Sequence, residues 1–352
     1  MKYNQLGRTG LFVSEICLGT MTFGRPPDSG VWKAAMGGVE SQDAVDAILA
    51  HAIAAGVNFI DTADSYLDGE SERMIGRGLK NLGVDRKDVV LATKVASPVG
   101  AKPNDRGASR GHIMDSVRGS LERLQTDYLD LYQIHSHDPV TPIDETLRAL
   151  DDLIAMGLVR YIGVSNWSAW RIAKALGRSE LKDYARFEAV QAYYSIAGRD
   201  LEREIVPLIR EEQLGLMVWS PLAGGLLSGK FGPGAPASDG GRRQSFDFPP
   251  VDKDRAWACV AVMREIGAAH GASVAQVALA WLLAQPHVMS LVVGAKTLAQ
   301  LDDNLQAVDL ALTPEDMRRL GEVSALPGEY PGWLLDVLSA SRRPPPFAPT
   351  RN

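Results

Sequence analysis

Cysteine is nearly absent from this chain of 352 residues: Cys17 and Cys259 stand far apart and show no metal-ligand spacing. That excludes the disulfide framework of a small secreted protein and points to a reducing, cytoplasmic compartment. Long hydrophobic runs are missing too. The longest, VALAWLLA at 277–284, falls well short of the roughly 20 residues a membrane span needs. The opening MKYNQLGRTG lacks the apolar centre of a signal peptide. Positive charge is not in excess, since the formal net charge is −6 and the Lys and Arg residues are scattered; nucleic acid and anionic lipid are therefore not expected as partners. No GxGxxG follows the first buried run, which argues against an open dinucleotide-binding sheet.

What is present is rhythm. A hairpin signature surrounds Gly7-Arg8-Thr9-Gly10, and a short buried run follows at 16–19. Amphipathic stretches then alternate with apolar runs: 41–55 before VNFI 57–60, 70–80 before VVLAT 89–93, 110–124 before YLDLYQI 128–134 and 142–156 before YIGV 161–164. The series continues with 168–176 before AVQA 189–192, 202–212 before LGLMVW 214–219, and 252–270 with 273–284 before SLVVG 290–294. Counting the run at 16–19, these are eight strand candidates separated by helices. Nearly continuous apolar strands with helices between them predict a closed (β/α)8 barrel, a TIM barrel formed as one domain over 1–352, with the hairpin plugging its N-terminal mouth. The Gly-, Pro- and Ser-rich segments 20–40, 95–109, 193–200 and 220–250 each follow a strand, on the face where barrel enzymes keep their sites. The tail 326–352 is read as irregular and close to the substrate pocket.

Polar residues placed directly after apolar runs are the candidate chemistry. Asp61 and Tyr66 follow the second strand in FIDTADSY, Lys94 ends the third and His135 ends the fourth. A buried carboxylate needs a cation, and Lys94 is the predicted partner of Asp61. A phenol, with a pKa of about 10, donates a proton poorly unless a positive charge favours the phenolate, so Lys94 is expected to acidify Tyr66 while His135 hydrogen-bonds an oxygen beside it. Such a site polarises a carbonyl and protonates its oxygen; completing a reduction requires a hydride, and hence a nicotinamide cofactor. His135 and His137 form an HxH, but His51, His112, His270 and His287 fall in or beside helical segments, so no metal site is expected.

The motifs LGTMTFG 18–24, GVNFIDTADSY 56–66, LATK 91–94, DLYQIH 130–135, GVSN 163–166, VQAYYS 190–195, WSPLAGGLLSGK 219–230 and VGAKTLAQLDDNL 293–305 together resemble the aldo-keto reductase superfamily, in particular the branch that includes potassium-channel β subunits. The resemblance implies a catalytic tetrad of Asp61, Tyr66, Lys94 and His135 with Tyr66 as general acid, reducing an aldehyde or ketone. It implies that Ser165, Asn166 and Gln191 hold the nicotinamide carboxamide, that Trp219 stacks on its ring, and that Gly19, Thr20, Met21 and Asp61 lie near it. Ser220, Pro221, Leu222, Gly224, Leu226, Gly229 and Lys230 would line the pyrophosphate, with Arg242 and Arg243 from a strap over 220–250. Gly294, Lys296, Gln300, Asp303 and Asn304 would meet the adenosine end. Gly294 and Gln300 stand where many members place a Lys and an Arg for the 2′-phosphate of NADPH, so Lys296 or a strap arginine takes that role if NADPH rather than NADH is the cofactor. Aromatic pocket walls are expected from Trp32, Trp167, Tyr194, Tyr330 and Trp333. The second functional class implied is a cofactor-retaining regulatory subunit of a channel; the start of the chain at the hairpin, without an inactivation segment, favours the enzyme.

Overall fold

A computed structural model of the protein describes residues 1–28, 35–231 and 246–340. The first two strands, β1 (Tyr3–Gln5) and β2 (Phe12–Ser14), form an antiparallel hairpin. Eight parallel strands follow: β3 (Ile16–Gly19), β4 (Phe59–Asp61), β5 (Val90–Val95), β6 (Leu129–Ile134), β7 (Val159–Ser165), β8 (Phe187–Tyr193), β9 (Gly215–Trp219) and β10 (Val288–Val293). They pair in chain order, and β10 closes on β3 to complete the barrel. The expected (β/α)8 architecture is therefore the observed one.

Outside the barrel lie α1 (Gln42–Ala54), α2 (Glu70–Asn81), α3 (Arg110–Leu124), α4 (Ile143–Ala155), α5 (Ala169–Lys182), α6 (Ile205–Glu211), α7 (Lys253–His270), α8 (Val274–Leu283), α9 (Leu298–Leu305), α10 (Pro314–Val323) and α11 (Gly332–Ala340). Their starts follow side-chain chemistry: Ser41, Ser109, Asp252, Ser273, Thr297 and Thr313 each accept a hydrogen bond from a backbone N–H of the first turn. None of the described helices is by itself long and apolar enough to cross a membrane.

Several boundaries depart from the sequence reading. Helix α5 runs through Gly177 and stops at Asp183, whose φ of 54° turns the chain left-handed. The stretch read as one helix over 202–212 is a 3-10 turn, Asp200–Glu202, followed by α6. Helices α9 to α11 are additions. Helix α10 carries a capping box between Thr313 and Asp316 with Pro314 at its first position, and α11 lies in the tail that was read as irregular.

The interior of the barrel is filled at its N-terminal end by Cys17, Phe59, Val90, Ala92, Leu131, Ala189, Met217 and Met289, and Leu6 and Val13 of the hairpin pack onto them. The hairpin thus stoppers that end, as expected. A second, larger apolar cluster packs the outer strand faces against the helices.

Candidate active site

Strand alternation builds the site. Successive inward-facing residues are two apart, so β4 presents Phe59 then Asp61, β5 presents Ala92 then Lys94, β6 presents Leu131 then Gln133, and β8 presents Ala189 then Gln191. One step up the barrel, the filling changes from apolar to polar.

Asp61 and Lys94 meet at the centre of this polar layer. Lys94 Nζ lies 2.5 Å from Asp61 Oδ2, with the two side chains 0% and 2% exposed. The same ammonium donates to the Thr62 carbonyl at 2.9 Å and to Tyr66 Oη at 3.2 Å, so its three protons are committed. Asp61 Oδ1 accepts from Gln133 Nε2 at 2.9 Å and from Gln191 Nε2 at 3.0 Å. A fully buried ion pair is tolerable because both carboxylate oxygens and all three ammonium protons find partners. The cation that Asp61 requires is Lys94, as the sequence predicts.

Tyr66 reaches this layer from a sharp turn. Leu67, Asp68 and Gly69 have φ values of 53°, 54° and 80°, which reverse the chain into α2 and leave the tyrosine over the barrel. Gly69 is required there twice over, because a Cβ would also sit 2.5 Å from Arg123 Cδ. His135 stands at the end of β6, its ring edge-to-face with Tyr66 at a centroid distance of 5.8 Å, and its Nδ1 is 3.1 Å from Ser97 Oγ. The four residues read as a tetrad therefore converge.

Their electrostatics correct one expectation. Burial raises the Tyr66 phenol above its ordinary range; the Lys94 ammonium pulls it back and the Asp61 charge pushes it further up, and the net direction is upward. The lysine restrains the rise rather than making the phenol acidic, because desolvation of the phenolate outweighs one shared ammonium. Burial alone would lower the Lys94 pKa, but the Asp61 carboxylate and Tyr66 together raise it above the usual lysine range. Burial, then the Lys94 charge, press the His135 imidazole down to about 3. It is neutral near pH 7, with one N–H to offer a substrate oxygen.

The residues assigned by resemblance to a cofactor lie along one arc of the same rim. Gly19 and Thr20 end β3, and Thr20 Oγ1 donates to the Asp61 carbonyl at 3.0 Å; Met21 follows, half-buried. Ser165 and Asn166 end β7. Asn166, at φ 58°, donates from Nδ2 to the His135 carbonyl and to Ser165 Oγ, both at 3.0 Å, and accepts from Trp219 Nε1 at 2.9 Å. After β9 comes a run of left-handed residues, Ser220, Ala223, Gly224, Gly225 and Gly229, flanked by buried Pro221 and Leu226, half-buried Leu222 and exposed Lys230. Backbone that alternates hand in this way turns N–H groups toward a concavity suited to phosphate oxygens. After β10, Gly294, Lys296 and Gln300 are exposed, the Lys296 N–H donating to Gln300 Oε1 at 2.9 Å; Asp303 accepts from Gln276 at 2.9 Å, and Asn304 is buried. Arg242, Arg243 and Trp32 lie outside the described residues.

Two of the expected aromatic walls are not at the site. Trp167 is 5% exposed and packs edge-on against Phe187 and His137, while Tyr194 is fully buried against Trp281, its hydroxyl donating to Glu202 at 2.6 Å. Both are core, because they point outward from the strand ends toward the helices. The aromatic cluster at the site is instead Trp219 with Tyr193, at 5.2 Å, and Phe248, parallel to Trp219 at 5.9 Å, with Phe246 stacked beyond. Tyr330 and Trp333 contact one another and are 74% and 54% exposed.

Three participants escaped the sequence reading. Gln133 looks like filler inside DLYQIH, although period-two spacing from Leu131 would have placed it inward. Phe248 lies near the end of the strap segment. Asp64, inside TADSY, is buried although it reads as a loop residue.

The profile of the Aldo/keto reductase family matches residues 15–325. The chain is 38% identical over 337 residues to a Bacillus subtilis (strain 168) protein named uncharacterized oxidoreductase YrpG, covering 93% of this chain and 97% of that one. It is 35% identical over 331 residues to a probable voltage-gated potassium channel subunit beta of Arabidopsis thaliana, covering 92% and 96%. It is also 32% identical over 355 residues to versiconal hemiacetal acetate reductase of Aspergillus parasiticus, covering 94% and 99%. With a closed parallel barrel whose polar layer joins Asp61, Tyr66, Lys94 and His135, and with a family profile and relatives that match most of its length, the chain belongs to the aldo/keto reductase family.

Proposed function

We propose that this oxidoreductase is an NADPH-dependent reductase of aldehydes or ketones in which Tyr66 is the proton donor. The observation that carries the reading is the Lys94 ammonium bonded at once to Asp61 and to the Tyr66 hydroxyl. Bound NADPH would supply hydride to the carbonyl carbon. Tyr66 and the neutral His135 bracket the carbonyl oxygen: His135 donates a hydrogen bond that polarises it, and Tyr66 releases its proton as negative charge develops there. Lys94 then stabilises the tyrosinate that remains, held in place by Asp61. Because burial raises the Tyr66 pKa, the phenol keeps its proton until substrate charge demands it.

Ser165, Asn166 and Gln191 would hold the carboxamide, with Asn166 fixed by His135 and Trp219. The left-handed run over 220–229 would cradle the pyrophosphate with Lys230, and Lys296 would meet the 2′-phosphate above Gly294, Gln300, Asp303 and Asn304. Support for a cradle lies in residues that pay for unusual backbone: Ser220 and Ala223 hold φ of 52° and 48° without being glycine. The closed apolar stopper beneath the polar layer keeps that end dry, which strengthens each charge interaction. Trp219 would stack on the nicotinamide ring, and Tyr193 and Phe248 beside it would present aromatic surface to the substrate.

The experiment is loss of NADPH absorbance with a reactive aromatic aldehyde, repeated with NADH. Turnover that is faster with NADPH supports the reading. Similarity to a protein named as a channel β subunit favours a second reading, a cofactor-holding regulatory subunit. Tight NADPH binding with no turnover on a panel of aldehydes and ketones would select it.

A further inference from the structure

The turn that carries Tyr66, together with the helix-facing side of β5 and β6, holds more buried carboxylates than cations. Asp61, Asp64 and Glu72 are buried there at 1%, 3% and 0% exposure, against Lys94 and Arg123. Each cation is already spoken for. Lys94 is bound to Asp61, to the Thr62 carbonyl and to Tyr66. Arg123 donates from Nε to Glu72 Oε2 at 2.6 Å and from Nη2 to Ser120 Oγ at 3.3 Å, and its side chain is lodged against Gly69. The other Glu72 oxygen accepts from Thr93 Oγ1 at 2.6 Å.

Asp64 is what remains. Its N–H donates to the Lys94 carbonyl at 3.2 Å, which fixes its backbone to β5, yet neither carboxylate oxygen has a hydrogen-bonding side chain among the described residues; from the backbone, the adjoining Ser65 N–H favours the charged form. Glu72 of α2, Arg123 of α3, Lys94 of β5 and Tyr132 of β6 all face it, and Tyr66 lies two residues further along the same loop. An isolated carboxylate in such surroundings is far costlier than the neutral acid, so the surplus charge is removed by keeping a proton.

We propose that Asp64 is a positioning residue of this site that works as a neutral acid, and that losing its proton puts a second negative charge on the loop that carries Tyr66 and suppresses proton donation. The proposal rests on the carbonyl-reductase reading above. In the chemical step the Tyr66 O–H bond breaks as the substrate O–H forms; Asp64 transfers no proton and acts only through charge. Burial first, then the Glu72 charge, raise the Asp64 carboxyl to about 8, with Arg123, the Ser65 N–H and Lys94 opposing. The Asp64 charge in turn is one of the influences that push the Tyr66 phenol upward. Reduction should therefore slow as pH rises through about 8, below the range in which the phenol itself ionises.

Two measurements test this. The first is infrared spectroscopy of the protein without cofactor, titrated from neutral to alkaline pH. A protonated carboxylic C=O band that fades on titration, and is missing in Asp64→Asn, is expected; spectra of wild type and variant that match at neutral pH overturn the proposal. Asp64→Ala serves the same comparison if the amide variant does not fold. The second is the pH profile of kcat. Asp64→Asn should stay within about threefold of wild type at neutral pH and lose the alkaline limb. A fall of about a hundredfold at neutral pH with unchanged melting, or a limb that persists, overturns it. A wild type with no turnover on any carbonyl would sink the reductase reading, and the infrared result would still decide the protonation state of Asp64.

Discussion

Gln191 reaches across the barrel mouth to Asp61, its amide nitrogen 3.0 Å from the carboxylate oxygen that faces away from Lys94. The carboxylate is thereby shared: one oxygen serves the cation, the other serves two amides from β6 and β8. Asp61 is oriented by three strands at once, so the position of the Lys94 ammonium, and with it the charge beside Tyr66, is set by the barrel and not by a loop.

Tyr66→Phe removes the proposed donor and leaves the packing. We expect kcat to fall by about 10² to 10⁴ while the dissociation constant for NADPH, read by quenching of Trp fluorescence, changes little. A variant that reduces aldehydes at the parental rate would assign the proton to another group.

Lys94→Met strands Asp61 as a buried carboxylate with no cation. Loss of about 3–5 kcal/mol of stability is expected, seen as a lower midpoint in denaturant. Adding Asp61→Asn should recover part of that loss, since the pair is a coupled unit. Strict additivity of the two changes would show that they do not interact.

The Asp64 carboxyl is raised from 3.8 to about 8 in the folded protein, so its contribution to stability is complete below pH 3.8 and is lost as pH rises to about 8. Asp64→Asn escapes that penalty. Its melting temperature relative to wild type should rise steadily between those limits and then level off, which thermal melts at several pH values will show. A difference independent of pH would mean that the carboxyl titrates normally.

His135 is depressed from 6.5 to about 3, so the stability it confers is present above pH 6.5 and is lost as pH falls toward 3. Its ring protons should not shift in NMR spectra between pH 5 and 8, when those of an ordinary histidine would. Replacement by Phe should raise KM and lower kcat together by removing the hydrogen bond to the carbonyl oxygen.

Phe248→Ala should enlarge the pocket beside Trp219, weakening kcat/KM for aromatic aldehydes by roughly tenfold while sparing short aliphatic ones. Equal losses on both classes would place Phe248 outside substrate contact.

Eight strands were legible because each is an apolar run covered on both faces, and Asp61, Lys94 and His135 stood out because a polar residue directly follows such a run. Gln133 did not, since an amide inside a run looks like a packing choice until its neighbours Asp61 and Gln191 are known. The TPED start of α10 is a readable capping signal in a segment to which the sequence reading assigned no element. Trp167 and Tyr194 were misplaced because a residue just beyond a strand end can face the mouth or the helices, and only the turn geometry decides which. The direction of the Tyr66 shift was misjudged for a similar reason: a charge partner is visible in a sequence, whereas the depth at which it acts is not. The surplus carboxylate at Asp64 required counting buried charges, which demands coordinates.

The stoppered base of the barrel carries a kinetic corollary. With Leu6 and Val13 packed over one end, molecules that reach the polar layer are expected to come and go at the opposite face. Where one molecule settles beneath another at that face, the inner one is expected to arrive first and depart last, a queue in which the outer occupant holds it captive.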